Sequence, residues 1–258
     1  MDDILKKKVF DKIKEIYPKI SNKDIIVLFG SRASGFALPN SDIDIKIFTK
    51  NYTDFKKVSY EKGLRNKGED AGFDLGLDNG LALEVKFAQL KIAKFDVSFC
   101  YDILHAIPLT SKREFEKFRN QIKKEFEKNY EGLLFYSYVD FFNAFKNFEG
   151  LLKRNDEYSK INLYMKKGIV IKSLMRLAII MNKKPYTFDK YLAHEAAKLK
   201  DWEKILGFIE KIKKIEASDD YVKVKVTLRD YLNSNMPKRD YVANWWKFLK
   251  RFKEMGGD

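Results

Sequence analysis

The sequence of 258 residues predicts an α+β protein, with a mixed, largely antiparallel sheet in its first part and an all-helical second part. Three observations carry this reading. The stretch DIDIKIF (42–48) alternates with period two, as a half-buried strand does. The apolar runs FDLGL and LALEVKFAQL flank Asp-Asn-Gly (78–80), a hairpin signal. From SKREFEKF at 111 onward, apolar residues recur at helical spacing almost to the end. The expected division is therefore 1–110 and 111–258.

In chain order, residues 3–17 read as a helix with Ile4, Val9, Phe10, Ile13 and Ile16 near one face. IIVLFG (25–30) is a short buried strand ending at glycine. In the strand that follows, Ile43, Ile45 and Ile47 face one way, and Asp42, Asp44 and Lys46 the other. A polar segment at about 52–69 reads as helical, and FDLGL (73–77), LALEVKFAQL (81–90) and KFDVSFC (94–100) read as strands. Helices are expected over about 112–129, 133–153, 158–182, 188–199, 201–215 and 240–254. YVKVKVTLRDYL (221–232) alternates locally like a strand, but its surroundings assign it to helix. NKKPY (182–186) and NMPKR (235–239) are breaks.

The net charge of +14 is unevenly placed. Residues 1–110 hold 18 Lys and Arg against 16 Asp and Glu, and residues 111–258 hold 33 against 21. A helical part carrying +12 suits a polyanion such as nucleic acid, and also suits plain lysine-rich solvated helices. One cysteine and two histidines, His105 and His194, exclude a disulfide framework and a His/Cys metal site. With no apolar run of membrane-spanning length and no signal-type start, the expected setting is cytoplasmic, without a membrane partner.

Asp42 and Asp44, two apart on a strand, project from one face roughly 6–7 Å apart at Cα. Two such charges repel unless a cation lies between them, and carboxylates with phosphate oxygens are ordinary ligands of Mg²⁺. A pair of divalent ions, Mg²⁺ or Mn²⁺, would clamp the attacking and leaving oxygens of a phosphoryl displacement. With ten residues between them and Asp42, Gly30 and Ser31 end a buried strand where backbone N–H groups can approach phosphate oxygens. A third carboxylate is expected, and Asp96, Glu84 and Asp74 all alternate with apolar neighbours, so periodicity does not choose among them.

Phe29-Gly30-Ser31 and Asp42-Ile43-Asp44 resemble the signature of the DNA polymerase beta-type nucleotidyltransferase superfamily. FGSRASGFALPNSDIDI looks closest to the non-canonical poly(A) and terminal uridylyl transferases, and EVKFAQLKIAKFDVSF (84–99) is similar to their following strand pair. That resemblance implies a polymerase-beta-like catalytic domain and transfer of NMP from an NTP to a hydroxyl with release of pyrophosphate. It ranks Asp96 first as third carboxylate. Glu84 is the alternative, because the antibiotic-modifying members carry a glutamate in a strand resembling LALEVKF. It also implies that a helical domain closes over the NTP, and Lys172 and Arg176, i and i+4 in INLYMKKGIVIKSLMRLAIIM with Lys166 and Lys167 upstream, are the candidate triphosphate contacts. Arg32 either assists there or caps the local turn. PYTFDKYLAHEAAKL (185–199) instead resembles the helical tails of bacterial and archaeal nucleotidyltransferases that modify small molecules or remain uncharacterised. The expected acceptor is an RNA 3′ end, with a small hydroxylated compound such as an aminoglycoside, or a protein hydroxyl, as alternatives. A non-catalytic RNA-binding or regulatory module of the same fold would be marked by lost carboxylates, and here Asp42 and Asp44 are present.

Overall fold

In a computed structural model, residues 3–21, 23–49, 52, 66–67, 70–77, 80–89, 95–154 and 156–236 are described. The expected helices at about 52–69 and 240–254 fall largely or wholly outside them. The chain divides into two compact units, Met1–Ala93 with Phe99–Glu125, and Lys94–Ser98 with Phe126–Asp258.

The first unit is built on a six-stranded sheet. Helix α1 (Asp3–Ile16) precedes strand β1 (Ile25–Phe29), the short helix α2 (Gly30–Ser34) and strand β2 (Ile43–Phe48). Then come β3 (Asn66–Lys67), β4 (Asp70–Gly76), β5 (Ala82–Ala88), helix α3 (Val97–His105) and β6 (Ile107–Pro108). The sheet order is β3-β4-β5-β2-β1-β6. Only β2 and β5 pair in parallel, so the sheet is mixed and largely antiparallel. Gly80, at φ +76, donates its N–H to the Leu77 carbonyl at 2.9 Å and so turns β4 into β5 where the Asp-Asn-Gly signal lies.

Alternation sets the two faces. Ile26, Leu28, Ile43, Ile45, Ile47, Leu83, Val85 and Phe87 form one buried layer with Val9, Ile13 and Tyr17 of the chain's first helical segment. The opposite face carries Phe48, which packs on Phe118 with ring centroids 5.3 Å apart, and the polar residues of β2 and β5. The expected strand at 94–100 is instead the start of α3, in which Cys100, Tyr101 and Ile103 are buried. Five alternating residues, Phe95 to Phe99, are too short a window to separate period two from period 3.6.

The second unit is helical. Helix α4 (Lys112–Leu152), whose residues up to Glu125 belong to the first unit, runs unbroken for 41 residues where two helices are predicted. Gly132 within it costs about 1 kcal/mol against alanine, and the buried run Leu133, Leu134 and Phe135 beside it offsets this. Helix α5 (Glu157–Met181) starts at Asp156, whose carboxylate accepts from the Ser159 N–H at 2.8 Å. Residues 188–199 form a 3-10 turn (Asp189–Tyr191) and a five-residue helix α6 (Leu192–Ala196) rather than one long helix. Then come α7 (Trp202–Lys213) and α8 (Ser218–Asn235). In α8 the buried set is Tyr221, Val224, Leu228, Tyr231 and Leu232, so helical spacing prevails over the VKVKV alternation. Tyr221 stacks on Phe145 with centroids 4.6 Å apart and anchors α8. No helix among the described residues is long and apolar enough to cross a membrane.

Candidate active site

The geometry starts with register. Phe29 pairs with Asp44 across β1 and β2, Asp44 pairs with Glu84 across β2 and β5, and Glu84 pairs with Asp74 across β5 and β4. Residues directly opposite on neighbouring strands share a face. Asp44, Glu84 and Asp74 therefore stand in one lateral row, with Asp42 just before β2 begins. Like charges so placed destabilise a sheet unless something relieves them.

Asp44 registers the strain most. Burial, then a hydrogen bond with Glu84, then the charges of Glu84 and Asp42 push its carboxyl up to about 7, with Lys86 opposing. Lys86 Nζ lies 3.4 Å from Glu84 Oε1 and partly neutralises that second carboxylate.

Gly30 is required by this arrangement. Its φ of +69 lies in the left-handed region, and a methyl at its Cα would overlap the Asp44 carboxylate, 2.8 Å from Cγ and closer still to Oδ2. The Gly30 backbone is thus in contact with the carboxylate, and Ser31 follows it, buried, in α2. Arg32 holds the connection to β2. Its Nε donates to the carbonyls of Ser41 at 3.2 Å and Asp42 at 3.0 Å, and its second amino group donates to Ser41 at 2.5 Å. Its role is thus to clamp the loop that delivers Asp42.

A model of the nucleotidyltransferase domain family matches residues 6–163, which takes in every one of these groups. The chain belongs to this nucleotidyltransferase family. A nucleotidyltransferase-like protein from Exiguobacterium sibiricum 255-15 has a similar structure, at 11% identity and a TM-score of 0.50, covering 98% of this chain and 92% of its own. At that identity the likeness concerns the fold alone. No curated protein matches the chain.

In this nucleotidyltransferase, the other expected site residues lie in the helical unit. Asp96, an exposed residue directly before α3, sits close enough to Tyr186 to add to the rise of that phenol to about 12, a rise due first to burial. Lys172 and Arg176 share a face of α5 as expected, and both engage Asp189, at 3.2 and 2.7 Å. The Arg176 guanidinium also lies over the Tyr186 ring, 5.0 Å from its centroid. Lys167 is buried and donates to the Lys213 carbonyl at 2.8 Å, which satisfies the end of α7. His105 is structural, its Nδ1 2.9 Å from the Tyr101 carbonyl and its ring stacked on Tyr101. His194 is exposed.

Among the described residues no group of three His, Cys, Asp or Glu is placed so that it could hold a metal ion. Asp42, Asp44 and Glu84 still fit a hard divalent cation in kind. They are all-oxygen donors, two of them in contact, and their mutual repulsion is what a cation relieves.

Two outcomes test this geometry. Gly30→Ala should cost about 2–3 kcal/mol in a urea melt, from backbone strain and the carboxylate clash together. In an Asp44→Ala background the cost should fall to about 1 kcal/mol, since only the strain remains. The second concerns pH. Because the folded state raises Asp44 from 3.8 to about 7, it holds the proton more tightly than the unfolded chain. The associated stability is present below pH 3.8 and is lost as pH rises through about 7. Asp44→Asn should therefore match wild type in metal-free melts near pH 4 and exceed it by about 1–3 kcal/mol at pH 8.

Proposed function

We propose that this nucleotidyltransferase moves NMP from an NTP to an acceptor hydroxyl, with Asp42, Asp44 and Glu84 as its carboxylate set. The observation that carries the assignment of Glu84 is its lateral register and hydrogen bond with Asp44 on one sheet face. Mg²⁺ or Mn²⁺, as a pair of ions held by Asp42, Asp44 and Glu84, would supply charge neutralisation and Lewis-acid polarisation at the phosphates. The chain's own residues do the rest. The Gly30 and Ser31 backbone at the start of α2, where N–H groups lack intrahelical partners, holds triphosphate oxygens. Arg32 keeps Asp42 in place through the loop carbonyls. Glu84, with Lys86 Nζ 3.4 Å from its Oε1, receives the proton of the attacking hydroxyl. Lys172 and Arg176 are kept as proposed phosphate contacts, because two cations that hold the Asp189 carboxylate suit phosphate oxygens equally.

The acceptor we favour is an RNA 3′ end, on the +12 charge of residues 111–258. A second reading, a small hydroxylated compound, has an observation of its own: the carboxylate beside Asp44 is the glutamate of LALEVKF, the feature that resembles the antibiotic-modifying branch.

The test offers each labelled NTP with Mg²⁺ to a small-RNA pool, to a panel of hydroxylated metabolites and aminoglycosides, and to protein. Asp42→Asn, Asp44→Asn and Glu84→Gln should each lower transfer by about 10²-fold or more, while Asp96→Asn keeps it within a few-fold. Loss with Asp96→Asn and retention with Glu84→Gln would reverse the carboxylate assignment. Label on RNA, on a small compound or on protein names the acceptor class.

A further inference from the structure

One step along the strands from the carboxylates, and on the same face, two lysines stand side by side. Lys46 of β2 and Lys86 of β5 are register partners. Both ammonium groups lie over one ring, Phe29, at 5.0 and 5.4 Å from its centroid, and Lys46 also lies 5.3 Å from the Phe99 centroid. Lys46 is only 7% exposed, and among the described residues no carboxylate pairs with it. Lys86 is more open, its side chain 26% exposed, and it reaches Glu84.

For folding alone this is a poor arrangement. Like charges directly opposite on neighbouring strands repel, and a buried ammonium without an acid is costly even when aromatic faces offset part of the loss. Two apolar side chains of similar length would serve the sheet better. An anionic ligand supplies the counter-charge that Lys46 lacks.

Order along the sheet says which ligand. Gly30 and Ser31 follow Phe29, the partner of Asp44, whereas Lys46 pairs with Val27. The phosphate-holding turn and the lysines thus flank the carboxylate row on opposite sides. In an in-line displacement the leaving and attacking oxygens also lie on opposite sides of the phosphorus. With the triphosphate on the Gly30–Ser31 side, the lysines face the incoming acceptor.

We propose that Lys46 and Lys86 form an anion seat for the acceptor, taking a phosphate that neighbours the attacking hydroxyl. Lys86 touches the phosphate, and Lys46 is a positioning residue that adds a buried second charge behind it. This rests on the nucleotidyl-transfer reading. A terminal RNA nucleotide has the required chemistry, and so does a small phosphorylated alcohol such as a nucleoside monophosphate. A polycationic aminoglycoside has the opposite charge.

The test is fluorescence anisotropy of the full chain with a labelled single-stranded RNA hexamer across a salt series, competition by AMP, and separate titration with Mg²⁺–ATP. Lys86→Met should weaken hexamer binding about tenfold and lower the salt slope by about one. Lys46→Met should weaken it several-fold and Lys86→Arg should retain most of it, with ATP affinity within twofold of wild type in these two variants. AMP should displace the hexamer from wild type and fail to compete in Lys86→Met. Binding of AMP alone, lost in Lys86→Met, would keep the seat and assign a small phosphorylated acceptor. Should Lys46→Met not fold, Lys86→Met decides. The proposal is overturned if Lys86→Met leaves both affinity and salt slope unchanged, if ATP loses as much as the hexamer, or if wild type takes neither hexamer nor AMP. Failure of wild type to bind Mg²⁺–ATP would instead remove the nucleotidyl-transfer reading, whatever the lysine variants do.

Discussion

The contact on which the first unit turns is that of the Asp44 carboxylate with Glu84 on one side and the Gly30 backbone on the other. Several otherwise separate features follow from it. Gly30 has no side chain because the carboxylate occupies that space, and it adopts a positive φ so that α2 can start where β1 ends. Arg32 spends its guanidinium on loop carbonyls, which presents Asp42 near the same point. Lys86 approaches Glu84 and relieves part of the repulsion, and burial together with the neighbouring carboxylates holds Asp44 back from ionising. A fold that concentrates negative charge on a rigid sheet face carries a local electrostatic cost, and a cationic or phosphate-bearing ligand set converts that cost into binding.

Charge on the helical part has a different character. Lys198 with Glu195, Lys213 with Glu210 and Lys225 with Glu149 are ion pairs on or between helices, and Lys167 is used to close the end of α7. Part of the positive charge is thus tied into ordinary helix chemistry and screened by solvent. Lys172 and Arg176 stand apart because two cations from one helix hold the two oxygens of a single exposed carboxylate, Asp189. That geometry suits a phosphate equally well. Specific positions, more than the total of +14, carry the argument for an anionic substrate.

On the sheet, acidic and basic residues are sorted by row. Asp44 and Glu84 occupy one lateral row and Lys46 and Lys86 the next, with Phe29 beneath both ammonium groups. A strand repeat of two residues spaces those rows by roughly 6–7 Å. The carboxylates and the lysines therefore lie on one stiff surface, which positions them better than a loop does.

The α+β class, the glycine-ended strand, the DxD strand and the helical spacing of 111 onward were all legible in the residues, because each depends on local periodicity. So was the nucleotidyltransferase family, since Gly30-Ser31 and Asp42-Ile43-Asp44 lie within one short stretch. Residues 97–100 misled, because apolar and polar residues alternate there while the buried face that makes them helical extends on to Ile103. That Glu84 meets Asp44 was beyond local reading. Glu84 lies forty positions away, and a parallel pairing between β2 and β5 brings the two together. Strand pairing is non-local, and a shift of one residue would turn Glu84 to the opposite face. The same pairing sets Lys46 beside Lys86, although the alternation of DIDIKIF already put Lys46 on the carboxylate side. Local sequence thus dictated which residues share a strand face, and tertiary pairing alone decided which faces meet, because register is settled by packing between strands distant along the chain.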